Sequence, residues 1–322
     1  MSDLRASLAN AFGPESVAVN APLAPLTTFG IGGAAAYLVS LKSTADLPRA
    51  LEIARQAGTS ITLLGGGSNV LVADAGIRGL VIRMHGGQVR QVAADRIRTD
   101  AGVTINGLVR WTITHGLAGL EAWAGTPGTV GGAIFGNAHF RGRNISDLVA
   151  QVAVSSRDGG VEQVPHARME FAYDFSRLHR TGEVVLAADF IVMPGEPESL
   201  RATARESLAY RKRTQPLAQP SAGCIFQNPD SARDQVPAGI PLSAGALIDR
   251  AGLKGAREGR ARVSPLHANF IVNEGNATAA DVRRLIDRCT REVRRQFDVQ
   301  LREEIMCLGF DGGHLERGDG GN

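Results

Sequence analysis

Cysteines, aromatic side chains and long apolar runs are all scarce in this sequence, and each scarcity removes a class of protein. The three cysteines in 322 residues, Cys224, Cys289 and Cys307, are too few and too scattered for a disulfide framework or a zinc site, so a reducing cytosol is the simplest setting. Aromatic residues make up only 5% and the formal charge is +3, which gives little support to stacking platforms on a basic nucleic-acid-binding surface. A small anionic ligand suits that charge equally well. No segment reaches about 18 uninterrupted apolar residues. The opening MSDLRASLANAFGPESVAVNAPL also lacks a cationic start followed by an apolar run and a small-residue cleavage site. The expectation is a cytoplasmic chain, neither exported nor membrane-spanning.

Glycine, by contrast, is abundant at 39 residues, more than average usage predicts. The length exceeds what one hydrophobic core usually serves, so two or three domains are expected. Leu47, Leu51 and Ala54 lie at helical spacing after Ser43 and Thr44, Gly58 ends the run, and ITLLGGGSNVLV reads as strand, glycine turn, strand. LVIRM, a hairpin signal at Asp158-Gly159-Gly160 and the run EVVLAADFIVM add β content up to about residue 194. MPGEPES then breaks the pattern before a charged helix over roughly 198–213, which marks a domain boundary. In the last third ANFIVN reads as a strand. A long helix follows Thr278, where Thr278 with Asp281 matches a capping box and Val282, Leu285, Ile286, Cys289, Val293 and Phe297 form one apolar stripe. Its six arginines from Arg283 to Arg295 fall mostly off that stripe and read as a solvated face.

Two segments concentrate glycine beside β-like runs, Gly65-Gly66-Gly67-Ser68-Asn69 and Thr126-Pro127-Gly128-Thr129-Val130-Gly131-Gly132, with Phe29-Gly30-Ile31-Gly32-Gly33 as a third. Residues without a side chain let successive backbone N–H groups converge on an anion such as a pyrophosphate; tight turns are the plainer explanation of any one segment. Neither GxGxxG nor GxxxxGK[ST] is present, which disfavours a Rossmann site and a P-loop. The ordered blocks TTFGIGG, LLGGGSNVLV, GTPGTVGGAIFGNA, PSAGCIFQNP, AGALIDRAGLKG, SPLHANFIVN and LREEIMCLG resemble those of the UDP-N-acetylenolpyruvoylglucosamine reductases, over roughly residues 20–310. The direct PSAGCIFQNP continuation is similar to the shorter, second type of that family.

The resemblance implies an α+β fold, with a non-Rossmann FAD-binding module of the vanillyl-alcohol oxidase type and a separate C-terminal substrate domain. On that reading residues 1–85 and 86–200 are two FAD-binding subdomains, 201–310 is the substrate domain whose end returns to the active site, and 311–322, which lacks core-forming residues, is a disordered tail. It implies FAD contacts from Gly65, Gly66, Gly67, Ser68, Asn69, Pro127, Gly128, Val130, Gly131 and Gly132. It also implies NADPH as reductant and UDP-N-acetylglucosamine enolpyruvate as substrate in peptidoglycan precursor synthesis. No nucleic-acid, membrane or obligate protein partner is expected, and no metal.

Hydride addition to the alkene puts negative charge on the carboxylate-bearing carbon, so the implied chemistry needs a proton donor and stabilisation of an enolate. Cys224 stands where the family often carries a serine proton donor, and a thiol is a stronger acid than an alcohol; a buried small hydrophobe is its bland alternative. Glu304 matches the family's catalytic glutamate. Where the family has an arginine after a tyrosine, this sequence reads Tyr173-Asp174-Phe175-Ser176-Arg177. An aspartate cannot stabilise an enolate, and Arg177 is the nearest replacement cation, with Arg180 behind it. Arg211, Lys212 and Asn228 fall where the family places its UDP-sugar, and cations suit a diphosphate. His267 reads as structural because no metal-ligand partner accompanies it. The competing readings are a flavin-dependent sugar or alcohol oxidase on the same fold and a nucleotide-sugar-binding protein without enzymatic activity.

Overall fold

The capping box at Thr278 forms as its spacing predicts. Thr278 Oγ1 accepts from the Asp281 N–H at 3.0 Å, and Asp281 accepts from the Thr278 N–H at 3.0 Å, which starts the helix Ala279–Phe297. The stripe residues Val282, Leu285, Ile286, Cys289 and Val293 are buried, and each fully buried aliphatic side chain contributes roughly 1.5–3 kcal/mol. Off the stripe, Arg284 pairs with Asp281, Arg288 with Glu258 and Arg295 with Glu292, as expected of a solvated face.

The computed structural model describes residues 4–156 and 159–310, and the fold is α+β. It divides into two units: Met1–Ala21 with Ala35–Gly66 and Arg78–Tyr210, and Pro22–Ala34 with Gly67–Ile77 and Arg211–Asn322. In the first unit a four-stranded sheet runs in the order Val17–Pro22, Ala34–Leu41, Ile77–Met84, Ile61–Leu64. Its last two strands are parallel, and the helix Leu47–Gln56 packs Leu47, Leu51 and Ala54 into the core beside it. A five-stranded antiparallel sheet follows in the order Val161–Pro165, Val149–Ser155, Val184–Ile191, Arg96–Asp100, Val89–Ala93. Its first two strands are the expected hairpin, whose Asp158 lies outside the described residues.

The second unit holds a four-stranded antiparallel sheet in the order Ser221–Cys224, Phe270–Asn273, Ala261–Val263, Arg257–Glu258. Its core includes Phe226, Leu247, Val263, Leu285 and Ile286. Val70–Val72 pairs in parallel with Met306–Leu308 in this unit, so ITLLGGGSNVLV is strand, glycine turn, strand as expected, with its two strands in different sheets.

The division departs from the sequence-based boundaries in two places. Residues 22–34 and 67–77 leave the N-terminal part of the chain for the second unit. The later boundary falls inside the helix Pro197–Thr214, at 210/211, not at the breaker before it. Most of that helix stays with the first unit because Leu200 and Ala204 join its core and Ser207 Oγ donates to the Ala122 carbonyl at 2.7 Å. The expected tail at 311–322 lies outside the described residues.

Asp74 shows how an early segment is bound into the second unit: its two carboxylate oxygens accept from the Ala279 and Ala280 N–H groups at 2.7 and 3.0 Å. These are orphan donors of the helix's first turn, and an acidic cap also complements the helix dipole. Asp74→Ala is expected to lower the urea midpoint of this unit's unfolding by the equivalent of about 1 kcal/mol; an unchanged midpoint would contradict that role.

Candidate functional site

In the first unit the two glycine segments meet. A Cβ on Gly66 would sit 2.6 Å from the Gly128 Cα, and one on Gly65 2.5 Å from Thr129 Oγ1, so both positions require the absence of a side chain. Among the described residues the N–H groups of Gly65, Gly66 and Gly128 donate to no protein acceptor, which is what an anion-binding turn needs. The neighbouring N–H groups behave differently. Val130 donates to the Val103 carbonyl at 2.9 Å, Gly131 to that of Ala101 at 2.8 Å, and Gly132 to Thr129 Oγ1 at 3.5 Å. Glycine at 131 serves close approach instead, because its Cβ would meet the Ala101 Cβ at 3.0 Å.

In the second unit Gly67, at φ +61, lies where a Cβ would reach the Thr27 Cα at 2.8 Å. Among the described residues the Gly67, Ser68 and Asn69 N–H groups likewise have no protein acceptor. Asn69 does a second job. Its carbonyl accepts from the Met306 N–H at 3.0 Å and its Nδ2 donates to the Glu304 carbonyl at 3.3 Å. Glu304 is also held from the other side, its N–H donating to the Ile225 carbonyl at 2.8 Å. Ile225 directly follows Cys224, so the two expected catalytic residues are brought together by backbone pairing. Asn269 fixes the Cys224 side of this arrangement: its carbonyl accepts from the Ile225 N–H at 2.8 Å, while its amide exchanges bonds with the Phe226 backbone at 2.9 and 2.7 Å.

Glu303 turns elsewhere, pairing with Arg283 at 2.6 Å. Cys289 is core, its thiol pushed up to about 12 by burial, and Cys307 is pushed up to about 11, chiefly by burial and then by Glu303. Neither resembles an acid working near neutrality.

Arg211 is buried, whereas Lys212 and Asn228 are exposed. Burial pushes the Arg211 guanidinium down to about 10, opposed by its attraction to Cys224, so it keeps its charge at neutral pH and lies within electrostatic reach of that thiol. Asn228 Oδ1 accepts from the Ala244 N–H at 3.1 Å, at the start of the helix Ala244–Arg250. The partners of Asn69 and Asn269 are not legible in the sequence, because they lie far off along the chain.

Arg177, expected to replace the missing cation, is already engaged within the first unit. Its Nε and Nη2 fork onto Glu183 at 2.9 and 2.6 Å, and its Nη1 donates to the Arg168 carbonyl at 3.5 Å. That expectation is revised: a buried guanidinium neutralised by a bidentate carboxylate cannot turn to an enolate without stripping the half-buried Glu183 of its ion pair. Arg180, the second candidate, is paired with Glu170 at the surface. Asp174 is buried, and its Oδ1 lies 3.1 Å from His139 Nδ1.

Residues 35–164 match the model of an FAD binding domain, and residues 215–308 that of the UDP-N-acetylenolpyruvoylglucosamine reductase C-terminal domain. The chain is 38% identical to UDP-N-acetylenolpyruvoylglucosamine reductase 1 of Bacillus cereus over 91% of its length and 95% of that protein's. It is 40% identical to the Moorella thermoacetica enzyme, over 91% of this chain and 93% of that one. The chain belongs to the UDP-N-acetylenolpyruvoylglucosamine reductase family. The crystal structure of the reductase from Thermus caldophilus superimposes with a TM-score of 0.74 at 33% identity, covering 91% of this chain and 98% of that chain. This reductase is therefore an oxidoreductase of peptidoglycan precursor synthesis with FAD as its cofactor.

The glycine contact gives a direct test of the FAD site. Gly66→Ala drives a Cβ into backbone, and overpacking of that kind costs ~1–3 kcal/mol, so the purified variant should retain roughly a tenth of the wild-type flavin or less. Gly136→Ala, whose Cβ would meet the nearest atom at 3.8 Å, should retain it. Equal flavin absorbance in Gly66→Ala and wild type would contradict the assignment.

Proposed function

We propose that this reductase converts the enolpyruvyl ether of UDP-N-acetylglucosamine to the lactyl ether of UDP-N-acetylmuramate, with NADPH as the electron source. The observation that carries the reading is the backbone bond from Glu304 to Ile225, 2.8 Å long, which sets Glu304 beside Cys224 in the second unit. The cofactor suits the residues of the glycine turns: in the first unit the unused N–H groups of Gly65, Gly66 and Gly128 are donors suited to its pyrophosphate, and Pro127, Val130, Gly131 and Gly132 shape the second turn; in the second unit the turn Gly67-Ser68-Asn69 offers unused N–H groups of the same kind. Bound FAD would relay two electrons from NADPH to the alkene.

The protein's own part is acid–base and electrostatic. Cys224 protonates the carbon that bears the carboxylate, and its thiolate is reprotonated from solvent before the next turnover. Glu304 orients that carbon and the proton delivered to it, its backbone fixed at both the N–H and the carbonyl. Arg211, charged and desolvated, offsets negative charge developing near Cys224 more strongly than an exposed cation does. Lys212 and Asn228 contribute at the exposed end of the same unit, where cation and amide suit a diphosphate and a uracil. The substrate and NADPH are cytoplasmic molecules, and the reaction belongs there.

Cys224→Ala and Glu304→Gln should bind FAD and be bleached by NADPH, yet recover flavin absorbance with the enolpyruvyl substrate about 10²–10⁴ times more slowly than wild type. Cys224→Ser should recover a large part of the rate. Stopped-flow absorbance separates the two half-reactions, and equal slowing of both would count against the proposed roles.

A further inference from the structure

The pair formed by His139 and Asp174 in the first unit is left unused by the roles above, and it is costly to build. Asp174 occupies the third position of a tight turn in which the Phe175 N–H donates to the Ala172 carbonyl at 3.2 Å. It sits there at φ 50, a left-handed conformation that favours glycine or asparagine. Its side chain is 8% exposed, and Oδ2 is buried without a hydrogen-bond partner among the described residues. Oδ1 faces His139 Nδ1 at 3.1 Å, while the imidazole itself is 28% exposed and packs against the Tyr173 ring with centroids 4.8 Å apart.

The segment carrying His139 is fastened to that turn. Asn137, also left-handed at φ 45, donates from Nδ2 to the Ala172 carbonyl at 2.8 Å, and its Oδ1 accepts from the Ser146 N–H at 3.2 Å. A left-handed Asp174 whose buried carboxylate is only half satisfied is hard to explain as a stabilising device, and strain of this kind collects where a side chain must be aimed. The order is an acid behind, a ring in front: a carboxylate can only accept, so the proton of the contact sits on Nδ1. In a doubly protonated ring the Nε2–H carries both charge and donor.

We propose that His139, oriented by Asp174, donates a charged hydrogen bond to the substrate's enolpyruvyl carboxylate and so replaces the guanidinium absent at position 174. The proposal rests on the reductase reading above. Asp174 is the positioning residue and His139 the contacting one. A carboxylate in place of a cation is then no loss, because the pair presents its positive member outward.

The test uses the FAD-loaded full chain in five forms: wild type, His139→Gln, His139→Gly, Asp174→Asn, and the double variant His139→Gly with Asp174→Arg, which rebuilds a guanidinium. Flavin content and melting temperature report folding. With NADPH-bleached protein, recovery on adding the enolpyruvyl substrate should be about 100-fold slower in His139→Gln, the usual loss for one oxyanion donor. Asp174→Asn should be intermediate, and the double variant should regain at least a tenfold share of the loss over His139→Gly alone. In ¹⁵N-histidine spectra, the ring signals missing from His139→Gln should show two protonated nitrogens in wild type and move in Asp174→Asn. Wild-type recovery in His139→Gln, or a double variant no faster than His139→Gly, overturns the proposal. Wild-type protein that never recovers with the enolpyruvyl substrate instead overturns the reductase reading, and this proposal with it.

Discussion

The parallel pairing of Val70–Val72 with Met306–Leu308 is the constraint on which the chemistry of the second unit depends. It draws the end of the described chain beside the glycine turn that precedes Val70. Asn69 then reads both ends of the junction, accepting from Met306 and donating to Glu304. Once Glu304 is placed there its N–H meets the Ile225 carbonyl, and Cys224 follows as the preceding residue. Backbone bonds thus set Cys224 and Glu304 side by side, with the Asn69 side chain as a further tie. Backbone pairing is a rigid way to do so, because sliding the register by one residue would send Glu303, already bound to Arg283, in Glu304's place.

The charged groups divide by how they are neutralised. Arg177 and Glu183 form a closed bidentate pair, and the Glu183 hydrogen bond holds the guanidinium above its ordinary value. Such a pair is structural. Arg211 is the opposite case, a buried cation pushed down to about 10 by desolvation with Cys224 as its attracting neighbour. Asp174 stands between them, with one oxygen paired and the other not. Complete, bidentate neutralisation marks Arg177 and Glu183 as a pair that holds the fold.

What could be read from the sequence was local. The helix Ala279–Phe297, with Thr278 and Asp281 at its start, declares itself through spacing and capping chemistry. The hairpin of Val149–Ser155 with Val161–Pro165 likewise follows from its glycine turn. Ser221–Cys224 was not recognisable as a strand, because it is four residues long, lacks β-branched side chains and contains Gly223 at φ 83. The partner of Val70–Val72 lies more than two hundred residues away, beyond the reach of any periodicity. Arg211 was readable in principle: Leu200, Ala204, Ser207 and Arg211 recur at helical spacing, and all four are buried. The substitution at Asp174 could be seen as a departure, but its compensation by His139 required the two turns to be placed in space.

We propose that the flavin-bearing chain passes electrons from NADPH to an enolpyruvyl nucleotide sugar. An anaerobic titration of the wild-type protein at the flavin absorbance tests it most directly. Stoichiometric NADPH should bleach the flavin, and one equivalent of enolpyruvyl-UDP-N-acetylglucosamine should restore the oxidised spectrum with formation of UDP-N-acetylmuramate. A bleached flavin that stays bleached with that substrate and recovers only on admission of oxygen would contradict the account.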